Sequence, residues 1–253
     1  MGAERMAGTR RVLVISPTYC EAENVGEFLR RVRSALPDAD VLVVDDASPD
    51  GTAELAEQLG TELGRIEVLR RPEKQGLGPA YRAGFAEGIR RGYGVLVEID
   101  ADLSHDPAEL ETFMAAIEDG ADLVIGSRYV RGGSIPHWPF VRRAISRVGC
   151  AYAAFALHVG LRDVTSGFRA YRSDVLQAVG YEHTRANGYA FQIELAYRIV
   201  QADYRVVELP ITFTDRVRGI SKMSKGIALE AMLLVTGWGL SDLVRGRRWR
   251  RRR

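Results

Sequence analysis

Along the first half of the chain, short runs that are apolar on both faces alternate with segments whose apolar residues recur every three or four positions. The runs are Val12 to Ser16, Val41 to Val44, Ile66 to Leu69 (the weakest), Val95 to Ile99 and Leu123 to Ile125. A strand wetted on one face alternates apolar with polar residues, whereas one covered on both faces does not. These runs therefore predict buried strands of a mainly parallel sheet. The intervening pattern predicts helices over Val25 to Leu36, Thr52 to Leu63, Ala80 to Arg90 and Pro107 to Ile117. The last has a marked start, with Asp106 as cap, Pro107 in the first position and Glu109 completing a capping box. Strand and helix in regular alternation predict an α/β, doubly wound sheet with ligands at the carboxyl ends of its strands.

After Tyr129 the pattern changes. Residues 131–139 hold two glycines and two prolines and read as a loop. Helices are predicted over Val141 to Val159 and Ala190 to Gln201, strands over Arg205 to Leu209 and Ile211 to Thr214, and a basic loop over Arg216 to Lys225. Ile227 to Val244 reads as a C-terminal amphipathic helix. We divide the chain into a flexible N-terminus (1–10), a single domain (11–244) and a basic tail (245–253). Within the domain, 11–129 forms a nucleotide half and 130–244 an acceptor-side extension.

Composition narrows the class. Hydrophobic residues make up 46% of the 253, enough for a buried core. Two cysteines far apart, Cys20 and Cys150, suit a reducing compartment and require neither a disulfide nor a metal. The N-terminal residues lack the apolar stretch of a secretory signal. The longest late uncharged runs, Val148 to Leu161 and Ala231 to Ser241, fall short of the ~18 residues of a spanning helix, so a soluble or peripheral protein is expected. The net charge of +2 conceals seven arginines between Arg245 and Arg253, without which the remainder is at −5.

Three segments carry candidate chemistry. Glu98-Ile99-Asp100-Ala101-Asp102 places two carboxylates one residue apart at a strand end, with alternation setting both on one side. Close carboxylates repel unless a cation lies between them. Hard divalent ions such as Mg²⁺ or Mn²⁺ bind through one or two carboxylates plus substrate phosphates. Pro17-Thr18-Tyr19-Cys20-Glu21 follows the first strand where a dinucleotide-binding domain would carry G-x-G-x-x-G, which is absent. Tyr19 can pack on a base, and Glu21 can accept from base or ribose. Asp45-Asp46-Ala47-Ser48-Pro49-Asp50-Gly51-Thr52 follows the second strand. Its Ser-Pro-Asp-Gly is a turn, with Asp50 or Thr52 capping, while Asp46 is the better binding candidate. Gly76-Leu77-Gly78 reads by default as a helix entry.

Taken in order after three successive strands, PTYCE, DDASPDGT and DADLSHDP resemble the inverting glycosyltransferases of family two, with their GT-A fold. Gly126-Ser127-Arg128-Tyr129, Thr165-Ser166-Gly167-Phe168-Arg169 and the Arg216-to-Lys222 segment are similar to polyprenol- or dolichol-phosphate mannose synthases, so the resemblance spans roughly residues 11–225. It implies GDP-mannose as donor, a polyprenyl monophosphate as acceptor and a divalent metal. It further implies that Pro17, Tyr19, Glu21, Val44 and Asp46 contact the nucleoside, and that Asp100, Ala101 and Asp102 meet metal and pyrophosphate. Arg128, Arg142, Ser146, Arg216 and Lys222 would hold phosphate or sugar, with Asp102, Arg128, Arg216 and Lys222 closest to the chemistry. Where some members carry a Gln metal ligand, this chain has Ser104.

A phosphate monoester acceptor, with its second pKa near ~6, is already nucleophilic at neutral pH and needs cations rather than a general base. A hydroxyl acceptor would need a base, for which Glu194 is the candidate, against its helical pairing with Arg198 at i,i+4. The four histidines lack metal-ligand spacing, and His105 is the one beside the D-A-D motif. The arginine tail, with Trp238 and Trp249, favours an anionic membrane surface over nucleic acid. The apolar face of the last helix suits either that interface or the core. The expectation is a peripheral enzyme on the cytoplasmic membrane face, and a membrane-embedded partner is compatible with it. Its rivals are a UDP-sugar donor, a hydroxyl acceptor and a non-catalytic nucleotide-binding subunit.

Overall fold

The computed structural model describes residues 11–186, 188, 190–215 and 225–244. The strands are β1 (Val12–Thr18), β2 (Asp40–Asp45), β3 (Ile66–Arg70), β4 (Val95–Glu98), β5 (Leu123–Ser127), β6 (Arg169–Arg172) and β7 (Val206–Pro210). The helices are α1 (Ala22–Ala35), α2 (Thr52–Leu63), α3 (Leu77–Arg90), α4 (Leu110–Glu118), α5 (Phe140–Ala156), α6 (Ser173–Ala178), α7 (Ala190–Gln201) and α8 (Lys225–Val244). One sheet runs β3-β2-β1-β4-β6-β5-β7, with β6 antiparallel to both neighbours and every other pairing parallel.

Alternation along the inner strands feeds two layers. Val14, Val41, Val43 and Val97 pack with Phe28, Leu29, Leu59 and Phe113 of α1, α2 and α4. Leu13, Ile15, Leu42 and Leu96 pack with Tyr81, Phe85, Phe191 and Leu195 of α3 and α7. This two-sided burial is why the strand sequences show no polar period. Helix α3 sits so close that a Cβ on Gly84 would overlap Ile15 Cγ2.

All five runs of the first half are strands, and the predicted helices form within a few residues of their expected ends. Asp106 caps as expected, its Oδ1 accepting from Ala108 N at 3.1 Å, although the first turn, Pro107–Glu109, is 3-10. Two expectations fail. The pattern missed β6, whose four residues alternate too briefly to register, together with the six-residue α6 behind it. Ile211 to Thr214 is not a strand. Thr212 makes a single bridge to Ser134, because β7 already occupies the sheet edge and Pro210 ends it.

The last helix divides its apolar residues. Val235 is buried and Trp238 partly so, in a third cluster with Ala153 of α5, Leu157 at its C-terminal cap and Ile193 of α7, while Met232, Leu233 and Leu240 are exposed. Among the described residues, no helix is long and apolar enough to cross a membrane. Both cysteines are free.

Candidate active site

Strands β2, β1 and β4 are adjacent and parallel, so their carboxyl ends bring the three motifs to one sheet edge. Pro17 pairs with Val44 and Thr18 with Asp45, and Ile99 N donates to Ile15 O at 3.3 Å. Within the acidic pair the two residues differ in role. Asp45 accepts from Thr18 Oγ1 (2.8 Å), Ser48 N (2.9 Å) and Ser48 Oγ (2.6 Å), closing its own turn. Asp46 turns towards the 71–76 loop, accepting from Arg71 Nη1 at 2.5 Å and Gln75 N at 3.2 Å. Neither Asp50 nor Thr52 is the cap of α2, which is Gly51; Asp50, just before it, accepts from Thr52 N at 3.2 Å and from Ala22 N at 3.1 Å. Thr52 Oγ1 accepts from Glu21 N at 3.0 Å, so the two loops are stitched together.

The wall facing this edge is aromatic and cationic. Lys74 Nζ lies 3.9 Å from the Tyr19 ring centroid, a cation–π contact. Glu21 is buried and accepts from Asn24 Nδ2 at 2.9 Å. Arg71 and Lys74 belong to this wall, and the sequence reading overlooked them. The signal was the basic run Arg70-Arg71-Pro72-Glu73-Lys74 between a strand and a glycine-led helix entry. The entry is as expected, with Gly76 at φ 101 preceding α3.

Beyond β4, the two carboxylates of the D-A-D motif sit in unequal surroundings. Asp100 is half-buried, and its Oδ1 accepts from the Tyr81 hydroxyl at 3.2 Å. Asp102 is buried and accepts from Ser104 N at 2.9 Å, with Leu103 between them in a left-handed conformation (φ 60). The 165–169 segment closes over them, so that a Cβ on Gly167 would lie 3.6 Å from Asp100 Oδ2. Arg169 anchors that segment from inside, donating to the carbonyls of Ser166 (2.7 Å), Gln192 (2.6 Å) and Val164 (2.7 Å). Glu98 is fully buried at the end of β4, beside the Tyr171 hydroxyl. Burial, with Asp100 adding and Arg169 opposing, pushes it up to about 8.

A divalent ion fits this donor set. Two oxygen donors at a strand end are what a hard cation takes from protein when substrate phosphates supply the rest. Among the described residues there is no group of three or more His, Cys, Asp or Glu able to hold a metal by itself. Ser104 Oγ, at the position where some family members have Gln, is buried beside Asp102 without a partner among the described residues. His105 packs against Phe168 and Phe213 at 5.4 and 5.1 Å, and burial lowers it to about 4, so it is a neutral, enclosed ring.

On the acceptor side, Arg128 extends from the end of β5 into a buried pair. Its Nε and Nη2 each donate to Asp163 at 2.7 Å, and Nη2 also donates to Thr165 Oγ1 at 2.8 Å. Arg128 holds the Asp163 carboxyl below the usual range against the opposing effect of burial. Asp163 was not singled out from the sequence, since a lone Asp two residues before a Thr carries no signal. Arg142 donates to both Asp215 oxygens at 3.1 Å and stacks on Trp138 at 3.9 Å. Ser146 Oγ accepts from the Tyr129 hydroxyl at 2.7 Å. Arg216, Lys222 and the 245–253 tail lie outside the described residues. Glu194 is structural. Its Oε1 accepts from Arg198 Nη2 at 2.7 Å, and its Oε2 from Arg185 N at 2.9 Å.

The family model for glycosyl transferase family 2 matches residues 13–180. The chain belongs to that family. It is a glycosyltransferase, and the PTYCE, DD and D-A-D segments lie inside the matched region. Polyprenol monophosphomannose synthase of Mycolicibacterium smegmatis is 49% identical over 240 residues, covering 94% of this chain and 89% of that protein. Undecaprenyl-phosphate mannosyltransferase of Micrococcus luteus is also 49% identical over 240 residues, covering 95% and 98%. Among solved structures, glucosyl-3-phosphoglycerate synthase of Mycobacterium tuberculosis with Mn²⁺, UDP-glucose and glycerol 3-phosphate aligns at TM-score 0.65 and 18% identity, covering 94% and 84%. Mannosyltransferase PcManGT of Pyrobaculum calidifontis, with GDP-Man and Mn²⁺, aligns at TM-score 0.60 and 17% identity, covering 94% and 66%. At such identities the two structures bear on the fold alone, and they bear out the GT-A architecture.

Proposed function

We propose that this glycosyltransferase moves mannose from GDP-mannose to a polyprenyl monophosphate, with inversion at the anomeric carbon, as a peripheral enzyme on the cytoplasmic face of the membrane. The observation that carries this reading is the 49% identity, over nearly the whole chain, to two enzymes whose names specify mannose and a polyprenyl phosphate. The site's chemistry supports it. The bases that a hydroxyl acceptor would call on are already committed: Glu194 to Arg198 and backbone amides, His105 to an aromatic enclosure. A phosphate monoester needs no such base, being largely dianionic at neutral pH.

In this reading Tyr19, Glu21 and Asp46 orient the nucleoside against the 71–76 loop. Asp100 and Asp102 would hold a divalent ion, Mg²⁺ or Mn²⁺, which when bound stabilises the departing diphosphate as a Lewis acid. Tyr81 fixes the Asp100 carboxylate, and the Arg169-anchored segment closes the pocket behind it. Arg142 can exchange its exposed Asp215 pairing for the acceptor phosphate, because such surface pairs contribute only about 0–1 kcal/mol. Arg216 and Lys222 would add charge there. Membrane attachment is supported by the exposed Val141, Ile145, Val148 and Phe155 on α5 and by Met232, Leu233 and Leu240 on α8.

The test is transfer of labelled sugar to a polyprenyl phosphate, with GDP-mannose or UDP-glucose as donor, in Mg²⁺ or chelator. Metal-dependent mannosyl-lipid from GDP-mannose alone is expected. Glucosyl-lipid from UDP-glucose, or no lipid product, refutes the assignment of donor or acceptor.

A further inference from the structure

Arginines elsewhere on this protein are mostly paired: Arg31, Arg65, Arg70, Arg90, Arg91 and Arg205 each meet a carboxylate. One group departs from that habit. Arg131, Arg143, Arg147 and Arg162 are all exposed and converge on a single groove of about 940 Å³ between the loop after β5 and helix α5. Among the described residues, none of these four guanidiniums makes an ion pair or a side-chain hydrogen bond, and the groove lining contains no acidic residue. Arg143 and Arg147 stand at i,i+4 on one helix, a like-charge arrangement that disfavours the helix unless an anion relieves it. Arg128 also lines the groove, but Asp163 neutralises it.

The same helix also carries exposed apolar residues. Val141, Ile145, Val148, Tyr152 and Phe155 are spaced four, three, four and three residues apart and are all exposed. That spacing makes one continuous apolar stripe down α5. The inward side is occupied separately by Cys150 and Ala153. An exposed apolar stripe bordered by arginines is the pattern of a helix lying in a bilayer interface.

We propose that the groove between residues 131–136 and α5 seats the phosphodiester headgroup of an anionic bilayer lipid while the α5 stripe enters the acyl boundary. This site would be distinct from that of the acceptor phosphate. Arginine's planar fork suits phosphate oxygens, and Arg142, which the reading above gives to the acceptor phosphate, does not line the groove. The charge sits beside the apolar stripe, so the surface matches a lipid of negative headgroup rather than a nucleic acid. The proposal rests on the membrane-surface part of the reading above. It is tested without any sugar donor, so it stands or falls apart from the transfer assay.

The experiment is sedimentation of the full-length chain with vesicles of neutral phosphatidylcholine, or of phosphatidylcholine containing phosphatidylglycerol. Wild type is compared with the double variant Arg143→Gln/Arg147→Gln; the basic tail is common to both. Each basic residue near an anionic leaflet contributes about 1 kcal/mol, so the variant should partition about 30-fold more weakly onto anionic vesicles. Binding to neutral vesicles, and turnover of a short, water-soluble prenyl phosphate, should be unchanged. Equal partition of variant and wild type onto anionic vesicles would overturn the proposal. So would a raised KM for the soluble acceptor, which would make the groove the acceptor site itself.

Discussion

Removing the Arg128 guanidinium should destabilise the fold. The Arg128 side chain is 8% exposed and Asp163 is fully buried, joined by two bonds of 2.7 Å. In Arg128→Ala the Asp163 carboxylate would keep the Arg128 backbone amide (2.9 Å) and weaker contacts from Thr165 (3.3 Å) and Cys150 (3.6 Å). None of these neutralises its charge. Breaking a buried pair on one side costs about 3–5 kcal/mol. At about 2–4 °C per kcal/mol for a domain of this size, Tm should fall by about 6–20 °C. The pH dependence follows from Asp163. Its carboxyl is lowered in the folded protein, so the pair's contribution is fully present above the unfolded carboxylate value and is lost as pH falls through the folded one. In the variant, Asp163 is buried without a bonded counter-charge, Arg169 acting on it only through space, and it can relieve the penalty by protonating. The gap in stability between wild type and variant should therefore be widest near neutrality and narrow towards pH 4. Denaturant unfolding at several pH values measures this. A gap under about 1 kcal/mol at pH 7, or one that widens in acid, would refute the reasoning. It would mean that the guanidinium is held for a ligand rather than for Asp163.

Other outcomes follow from single contacts. Tyr81→Phe keeps the stack with Phe191 but deletes the hydroxyl on Asp100. Such supporting contacts are worth about 10–100-fold in metal affinity, so Mn²⁺ titration by electron paramagnetic resonance in the presence of GDP should show weaker binding; unchanged affinity removes Tyr81 from that role. Gly84→Ala forces a Cβ into Ile15 and should destabilise by about 1–3 kcal/mol; a neutral melting temperature would show that α3 can shift away. Glu194→Gln should lower the melting temperature and leave kcat within about threefold, as a structural partner of Arg198 would; lost turnover in a normally stable variant would instead make Glu194 a base.

The parallel core was readable because burial on both faces writes itself into three or four consecutive apolar residues in four of the five runs. The same reasoning missed β6, where Arg169, Ala170 and Tyr171 are all buried although one is charged. Arg169 is inside because the carbonyls of Val164 and Ser166, just before it, and of Gln192, from helix α7, converge on it, and no apolar pattern records that. The sheet-edge carboxylates were legible for a related reason: a strand's end is local, and so is the spacing of Asp100 and Asp102. Their surroundings were not. Tyr81 reaches Asp100 from a helix nineteen residues earlier in the chain.

The sequence by itself determined the element order, the doubly wound architecture of the first half and which acids stand at the ligand edge, since each depends on near neighbours and on periodicity. Tertiary structure alone decided which charges are committed and which are available. Asp45 closes its own turn while Asp46 pairs with Arg71 of the opposing loop; Arg128 is neutralised by Asp163, while among the described residues Arg131, Arg143, Arg147 and Arg162 meet no carboxylate. An ion pair is a matter of distance in space, and in this fold the deciding partners lie far apart along the chain.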